Sequence, residues 1–194
     1  RLEDTQEAMR DRYLGQTHLI GGLSLAYEET SLMRDAAKYG RAIAHAVKMD
    51  RHLKRAKGDV PFDLEVSVDE TETPTTPLEH LFIASELKRL GVRWVSLAPR
   101  YVGRFEKGVD YIGDLETFAA SFTKHAAIAR AVGPYKLSIH SGSDKFSIYP
   151  MMAEHTHGLA HLKTAGTSYL EALRAAAQVA PDLFREILAL AIER

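Results

Sequence analysis

The densest group of chemically capable side chains in the sequence is the run His140-Ser141-Gly142-Ser143-Asp144-Lys145. The imidazole of His140 can ligate a metal ion or shuttle a proton, and Lys145 can neutralise an enolate or bind an acidic substrate. The turn of small residues between them presents backbone N–H groups, which can form an anion-binding nest. The alternative is a hydrogen-bonded turn in which Ser or Asp side chains only cap the backbone.

An acidic run, Asp69-Glu70-Thr71-Glu72, places three carboxylates within four residues. Divalent cations take carboxylate oxygens as ligands, and a carboxylate can serve as a general base. This run can therefore supply a metal ligand together with a base. It can equally be a solvated turn before a helix, because the helix dipole favours carboxylates near a helix N-terminus.

Two further positions favour the binding of an anion. Arg100, which follows Pro99, can clamp a carboxylate or phosphate through two parallel hydrogen bonds, unless it only forms a surface ion pair. The run from Lys163 through Thr164 to Ser168 places small hydroxyl residues at a predicted helix start, where backbone N–H groups bind anions. Ser168 also fits the role of the helix N-cap.

The sequence holds nine histidines and no cysteine, so a metal site here would use nitrogen and oxygen ligands rather than thiolates. His140 is the histidine that lies at the end of a predicted strand, 135–140. His18, His80 and His161 are further candidates for the same site. The remaining histidines fall in predicted helices or in a loop, namely His45, His52, His125, His155 and His157.

Each of these candidate clusters follows a short apolar or alternating segment and precedes an amphipathic one. Period-two alternation indicates strands, and apolar residues at three- and four-residue spacings indicate helices. One helix start is explicit, since Thr76, Pro77 and Glu79 form an N-cap, an N1 proline and a capping box. The predicted strands are 17–27, 62–68, 92–98, 135–140 and 160–163, and the predicted helices are 29–57, 77–90, 114–132, one from 168, and 181–192.

The alternation of strands and helices predicts an α/β fold with a parallel sheet covered by helices. In such folds functional side chains lie just beyond the carboxyl ends of the strands. No G-x-G-x-x-G run follows any predicted strand, so a dinucleotide-binding open sheet has no support. About five βα units are visible, fewer than the eight of a complete barrel. We therefore expect part of a TIM-type (β/α)8 barrel.

The composition excludes several other classes of protein. Lys and Arg number 25 against 26 Asp and Glu, a formal net charge of −1, whereas proteins that bind nucleic acid through phosphates are basic. No apolar run approaches the ~20 residues of a membrane span. The chain begins at Arg1 in a charged stretch that does not resemble a signal peptide. We expect a cytoplasmic protein that binds neither nucleic acid nor membrane.

The motifs at the strand ends resemble those of the tagaturonate epimerase family. The resemblance covers most of the chain from about residue 60, and its motifs are long and specific. Members of that family are much longer than this chain, which implies that residues 1–194 form a single domain from an internal or C-terminal part of such an enzyme. The motifs are SVDETETPTTPLEH (67–80), VSLAPRYVGRFEKGVDYIGDLE (95–116), GPYKLSIHSGSDKFSIYP (133–150), HLKTAGTSYLEALR (161–174) and FREIL near Phe184.

The resemblance implies a metal-dependent isomerase that interconverts tagaturonate and fructuronate, two keto-uronates that differ at C4. The proton on C4 is not acidic, but the C4 hydroxyl is β to the ketone. Deprotonation of that hydroxyl permits retro-aldol cleavage between C3 and C4, and re-addition to the rotated aldehyde inverts C4. Such a route needs a base, a clamp for the uronate carboxylate, and a metal ion or Schiff base to stabilise the enolate.

The resemblance also suggests roles for the candidate residues. Glu70 and His140 are the expected metal ligands, with His18 or His161 as a possible third, and the metal could be Zn, Mn, Ni or Fe. Asp69 and Lys145 are the expected catalytic residues, and Lys163 is the rival Schiff-base lysine. The expected substrate-binding residues are Arg100, Ser141, Ser143, Asp144 and Thr164.

Two other functions remain open from the sequence. A class II-type aldolase or C3 epimerase of sugar acids could use the same groups on the same scaffold. A non-catalytic module could bind a sugar acid or phosphate at the His140–Lys145 turn and the helix start at 164–168. In each case the expected partner is a small sugar acid, and a homo-oligomer is possible.

Overall fold

The computed structural model describes residues 2–164 and 167–193 of the chain. Helices and strands alternate along most of it, as the sequence predicts. The elements in chain order are α1 (Gln6–Tyr13), β1 (Thr17–Ile20), β2 (Leu23–Ala26), α2 (Glu29–Lys57), β3 (Glu65–Ser67), α3 (Pro77–Arg89), β4 (Ser96–Ala98), α4 (Leu115–Val132), β5 (Lys136–Ile139), α5 (Tyr149–Thr156), β6 (Ala160–Leu162), α6 (Thr167–Val179) and α7 (Pro181–Glu193).

Strands β3 to β6 form a parallel sheet in their sequence order. Glu65 is paired with Ser96 in β4, and Ser138 of β5 is paired with His161 in β6. The mixed α/β class with a parallel sheet is therefore confirmed. The strands are shorter than predicted, because only three or four residues of each make ladder hydrogen bonds.

The two faces of this sheet differ sharply in polarity, because successive side chains of a strand point to opposite faces. Val66, Leu97 and Leu137 belong to the buried core, together with helix residues such as Phe82 and Phe118. The alternate positions carry polar side chains, among them Glu65, Ser96, Ser138 and His161. The sheet thus packs one face against its helices and presents polar groups on the other.

The predicted first strand, 17–27, is instead an antiparallel hairpin of β1 and β2, separate from the main sheet. Gly21 and Gly22 form its two-residue turn with φ of 55° and 85°, a conformation that favours glycine. Gly21 also lies against α4, since a Cβ there would come within 2.7 Å of the Ala127 side chain. The predicted first strand of the parallel sheet is therefore wrong, whereas the helix predicted after it, 29–57, is confirmed as α2.

Two short helices were absent from the sequence prediction. α1 lies in the charged N-terminal stretch, where Thr5 accepts a hydrogen bond from the Ala8 N–H at 3.1 Å and Tyr13 donates to Glu86 at 2.8 Å. α5 follows the His140–Lys145 turn and includes His155. Each of these helices has only eight residues, which is too short for a helical period to stand out in the sequence.

The remaining helices match the prediction closely. Thr76 caps α3 by accepting from the Glu79 N–H at 3.2 Å, and the Glu79 carboxylate accepts from the Thr76 N–H at 2.7 Å. Asp114 caps α4. α6 begins at Thr167, so Ser168 lies inside the helix rather than at its N-cap.

The four-stranded sheet of the described residues does not close on itself, and the barrel stays a prediction.

No helix in residues 2–164 and 167–193 is both long and apolar enough to cross a membrane.

The capping box of α3 gives a direct test of the fold. Thr76→Ala removes the hydroxyl that accepts the Glu79 N–H, and we expect the free energy of unfolding to fall by about 1 kcal/mol. Thr123→Ala is the matched control, because its hydroxyl only bonds to the Ala119 carbonyl within α4, and a change within about 0.5 kcal/mol is expected. Urea unfolding measures both, and equal effects would contradict the assignment.

Candidate active site

The polar face of the sheet carries an imidazole held between two carboxylates. His140, just after β5, places Nε2 2.8 Å from Glu65 Oε1 and Nδ1 2.9 Å from Asp69 Oδ2. Glu65 begins β3 and Asp69 follows the same strand. The Asp69 carboxylate is further held by the hydroxyl of Ser67. Both hydrogen bonds of the His140 ring, which follows β5, are therefore made to residues of β3 and the loop directly after it.

The other oxygen of Glu65 is held from the neighbouring strands. Ser96 donates its hydroxyl to Glu65 Oε2 at 2.6 Å, and His161 Nδ1 lies 2.6 Å from the same atom. The Ser138 hydroxyl lies 3.4 Å from His161 Nδ1. Every strand of the main sheet thus contributes a polar side chain to this cluster.

The surroundings of Glu65 stabilise its charged form. Burial alone would raise the pKa of the carboxyl, but hydrogen bonds from Ser96, His140, Ser138 and His161 outweigh it and lower the pKa to about 2. A carboxylate that accepts several hydrogen bonds is strongly favoured over the neutral acid. Glu65 is therefore ionised at neutral pH.

The hydrogen bonds to the two carboxylates constrain where the protons of the His140 ring lie. Ionised carboxylates only accept hydrogen bonds, so the Nε2–H of His140 donates to Glu65. On the other side, either Nδ1–H donates to an ionised Asp69 or a protonated Asp69 donates to Nδ1. In the first state the Asp69 carboxylate can still accept a proton while both ring nitrogens of His140 already carry one, so Asp69 is the member of the pair that can act as a base.

A cavity of about 320 Å³ opens over this pair. The predicted site residues Asp69, Glu70, Arg100, His140 and Ser141 all line it, so the structure brings five of the nine together. The rest of its lining comes mainly from the loop between β4 and α4 and consists of Pro99, Tyr101, Gly103, Arg104, Phe105 and Glu106, with Ile139 from β5.

The backbone of Arg100 is fixed by Thr75, from the loop that precedes α3. The Arg100 N–H donates to Thr75 Oγ1 at 2.9 Å, and the Arg100 carbonyl accepts from the Thr75 N–H at 2.8 Å. Arg104, whose guanidinium lies 3.8 Å from the Glu106 carboxylate, also lines the cavity. A cavity lined by two arginines and a carboxylate–imidazole pair suits an acidic substrate.

Four predicted site residues lie elsewhere. The lining of the cavity among the described residues does not include Ser143, Asp144, Lys145 or Thr164. Lys145 is completely buried, and its ammonium donates to backbone carbonyls. This position favours a structural role for Lys145 over the predicted catalytic one.

The predicted anion nest in this turn has N–H groups that are already engaged. Gly142 N–H donates to the Lys163 carbonyl at 3.0 Å, and Lys145 N–H donates to the Tyr149 hydroxyl at 3.1 Å. The turn therefore resembles the alternative, a hydrogen-bonded structural turn. The other predicted anion site, from Thr164 to Ser168, includes positions 165 and 166, which lie outside the described residues.

Of the further candidate histidines, the structure brings only His161 into the cluster. His18 lies on the β1–β2 hairpin, where its ring contacts Tyr27 edge-on. His80 is fully buried and bonds to His125 at 2.9 Å and to the Tyr135 hydroxyl at 2.7 Å. Burial lowers the pKa of both members of this histidine pair, that of His125 to about 4, so they form a neutral core network.

The donor types in the cluster suit a divalent metal, since imidazole and carboxylate bind such ions. Their arrangement is less favourable, because both ring nitrogens of His140 face carboxylates. Within residues 2–164 and 167–193 no three His, Asp or Glu side chains are arranged to hold a metal ion. Glu70, the predicted second ligand, lines the cavity but is not the carboxylate that the structure pairs with His140.

Glu65 is the functional candidate that the sequence reasoning missed. It lies inside the predicted strand FDLEVSV (62–68), whereas the predicted site residues lie at or beyond the strand ends. The sequence does carry a signal for Glu65. A carboxylate on a strand whose alternating residues are apolar and buried needs a polar partner on the other face of the sheet. The identity of those partners depends on the pairing of four strands.

These features define a class of protein, a βα-repeat domain with a carboxylate–imidazole site at the carboxyl ends of its parallel strands. The family model of tagaturonate epimerase matches residues 1–194. A tagaturonate/fructuronate epimerase from Thermotoga maritima is 50% identical over 96% of this chain and 40% of its own length.

Crystal structures of a fructuronate–tagaturonate epimerase from Cohnella laeviribosi are also similar to this chain. The form with one bound glycerol has a TM-score of 0.88 and the native form 0.86, each at 40% identity over 98% of this chain and 39% of the crystallised one. The chain belongs to the tagaturonate epimerase family. It spans about two fifths of the length of these relatives.

The charge of Glu65 predicts how stability depends on pH. Because its folded pKa of about 2 lies below the ordinary 4.5, its stabilising contribution is present above pH 4.5 and is lost as pH falls toward 2. In Glu65→Gln we expect a lower free energy of unfolding at neutral pH and a smaller loss between pH 5 and 2 than in the unchanged protein. Denaturant titrations across this range measure both.

Glu72→Gln is the matched control, since Glu72 is exposed in the neighbouring loop. It should leave the pH dependence of stability unaltered. An identical pH profile for Glu65→Gln and the unchanged protein would show that Glu65 is not held as described.

Proposed function

We propose that the protein that carries this chain interconverts tagaturonate and fructuronate by inverting C4. Membership of the family and the names of the relatives from Thermotoga maritima and Cohnella laeviribosi support this activity. The observation that carries the chemistry is the His140–Asp69 pair at the floor of a cavity with two arginines.

The proposed reaction begins with loss of the C4 hydroxyl proton. Asp69 is the candidate base because its carboxylate lines the cavity and hydrogen bonds to His140 at 2.9 Å. Asp69 keeps this proton on its own carboxylate, because both ring nitrogens of His140 already donate, Nδ1 to Asp69 and Nε2 to the ionised Glu65. Asp69 returns the proton to the C4 oxygen after the new bond forms.

Cleavage of the C3–C4 bond leaves an enolate fragment and an aldehyde fragment, and the uronate carboxylate belongs to the aldehyde. Inversion then requires the aldehyde to turn its other face to C3 without leaving the cavity. We propose that Arg100 and Arg104 hold the carboxylate during this rotation, through the paired hydrogen bonds that guanidiniums make. Ser141 lies at the same cavity and can bind a substrate hydroxyl.

We also propose a bound divalent cation. The residues that would hold it are drawn from His161, Glu65 and Glu70, whose nitrogen and oxygen donors suit such an ion. The predicted ligand His140 has both ring nitrogens engaged by Glu65 and Asp69. When bound, a cation of this kind acts as a Lewis acid that stabilises an enolate.

We also propose that this chain forms part of a (β/α)8 barrel. Apolar side chains of α7 such as Leu190 and Ile192 are 54% and 77% exposed, and the four-stranded sheet is open at both edges. Both features fit a (β/α)8 barrel in which further strands cover these surfaces.

An isotope experiment tests the route. Tagaturonate deuterated at C4 should give fructuronate that retains the label, with no primary isotope effect on kcat, because the C4–H bond is never broken. A trapping reagent for aldehydes should capture a three-carbon aldehyde acid during turnover. A large isotope effect would favour oxidation or deprotonation at C4, and solvent deuterium at C3 would favour the C3 epimerase.

Substitution of the base tests the assignment of Asp69. In Asp69→Asn the carboxylate becomes an amide that cannot accept the proton, and we expect kcat to fall by about 10²- to 10⁴-fold. Glu72→Gln, in the same loop but outside the cavity lining, should retain the activity. If Asp69→Asn remains fully active, another group is the base.

Metal removal tests the cation separately. Dialysis of the intact protein against a chelator should abolish activity and remove one tightly bound ion, and added divalent metal should restore both. Elemental analysis before and after dialysis measures the metal content independently of enzymatic activity. Full activity in protein that contains no metal would refute the cation and leave the rest of the mechanism in place.

A further inference from the structure

Lys145 is a buried cation enclosed by backbone carbonyls. Its side chain is 0% exposed, and its Nζ donates to the carbonyls of Glu106 at 2.7 Å, Val109 at 2.5 Å and Ser143 at 2.9 Å. An ammonium has three N–H donors, so all three are used. Burial lowers the pKa of Lys145, but the three carbonyls bind only the protonated form through these bonds.

The three carbonyls come from two loops that are distant in sequence. Glu106 and Val109 lie in the loop between β4 and α4, residues 99–114, and Ser143 lies in the loop after β5, residues 140–148. A second contact joins the same loops nearby, where the Ser147 hydroxyl donates to Asp110 Oδ1 at 2.8 Å. The Ser147 N–H also donates to this carboxylate, at 3.2 Å to Oδ2.

The loop held in this way forms one wall of the candidate active site. Gly103, Arg104, Phe105 and Glu106 all line the cavity, and the Glu106 carbonyl is one of the three that Lys145 binds. The opposite wall is set by His140, five residues before Lys145 on the other loop. The distance between the carboxylate-binding wall and the His140–Asp69 pair thus depends on the contact that Lys145 makes.

We propose that Lys145 is a positioning residue that locks the β4–α4 loop onto the β5–α5 loop and so fixes the substrate-binding wall. The effect on substrate binding rests on the proposed function, whereas the contact between the two loops does not depend on it. Lys145 has no free N–H and no lone pair for chemistry, and its buried side chain is outside the cavity lining. Its loss would leave three buried carbonyls without a donor, which favours opening of the loop.

Proteolysis gives a test that needs no substrate. Trypsin can cleave after Arg104 and Lys107, both exposed in the β4–α4 loop. In Lys145→Met we expect cleavage there to be about tenfold faster, because local opening controls access. Lys136→Met, which removes an exposed lysine from β5, is the control and should cleave at the original rate.

Kinetics then distinguish positioning from catalysis. In Lys145→Met we expect KM for tagaturonate to rise about tenfold while kcat changes less than threefold, since the wall binds the substrate carboxylate and the proton-transfer groups stay on the strands. The pH profile of kcat should keep its midpoints. Lys145→Arg should not restore KM, because a planar guanidinium cannot match three carbonyls arranged around one ammonium.

Ser147→Ala provides an independent arm in case Lys145→Met fails to fold. It weakens the second contact between the same loops, so faster cleavage and a raised KM are expected, each smaller than in Lys145→Met. The proposal is overturned if cleavage and KM stay unchanged in both variants, or if Lys145→Met loses kcat by about a thousandfold with cleavage unchanged, as a catalytic lysine would. If even the unchanged protein lacks epimerase activity, the proposed function fails and the proteolysis still decides the loop contact.

Discussion

The ionised carboxylate of Glu65 is the constraint on which the site depends. A partly buried charge is costly unless hydrogen bonds compensate it, and here the donors come from Ser96, His140 and His161 on three other elements. A shift of any strand by one residue would turn its donor to the opposite face. The charge therefore ties the register of the sheet to the geometry of the site.

This arrangement gives His140 a defined role. With one nitrogen donating to the ionised Glu65, the ring has a fixed orientation, and its other nitrogen holds the Asp69 carboxylate. The base predicted at Asp69 is thus oriented by a neighbouring ring rather than being an isolated carboxylate. A substrate hydroxyl in the cavity therefore meets a base in a fixed position.

Buried polar networks support the loops around this centre. Thr75 holds the backbone of Arg100 from the α3 side, next to the neutral core pair of His80 and His125. Lys145 holds the far end of the same loop from the β5 side. The backbone of the cavity wall is therefore held at both ends by groups that do not themselves line the cavity.

The sequence by itself determined the alternation of helices and parallel strands, the capping box at Thr76, and the position of Asp69, Arg100 and His140 at the strand ends, because these follow from local periodicity and turn chemistry. Only the tertiary structure decided the role of Glu65 and the burial of Lys145. Both depend on which groups from other strands and loops surround a charge, and that pairing is not encoded in the spacing of residues along one segment. The β1–β2 hairpin differs from the prediction for the same reason, since its two halves pair with each other instead of joining the sheet.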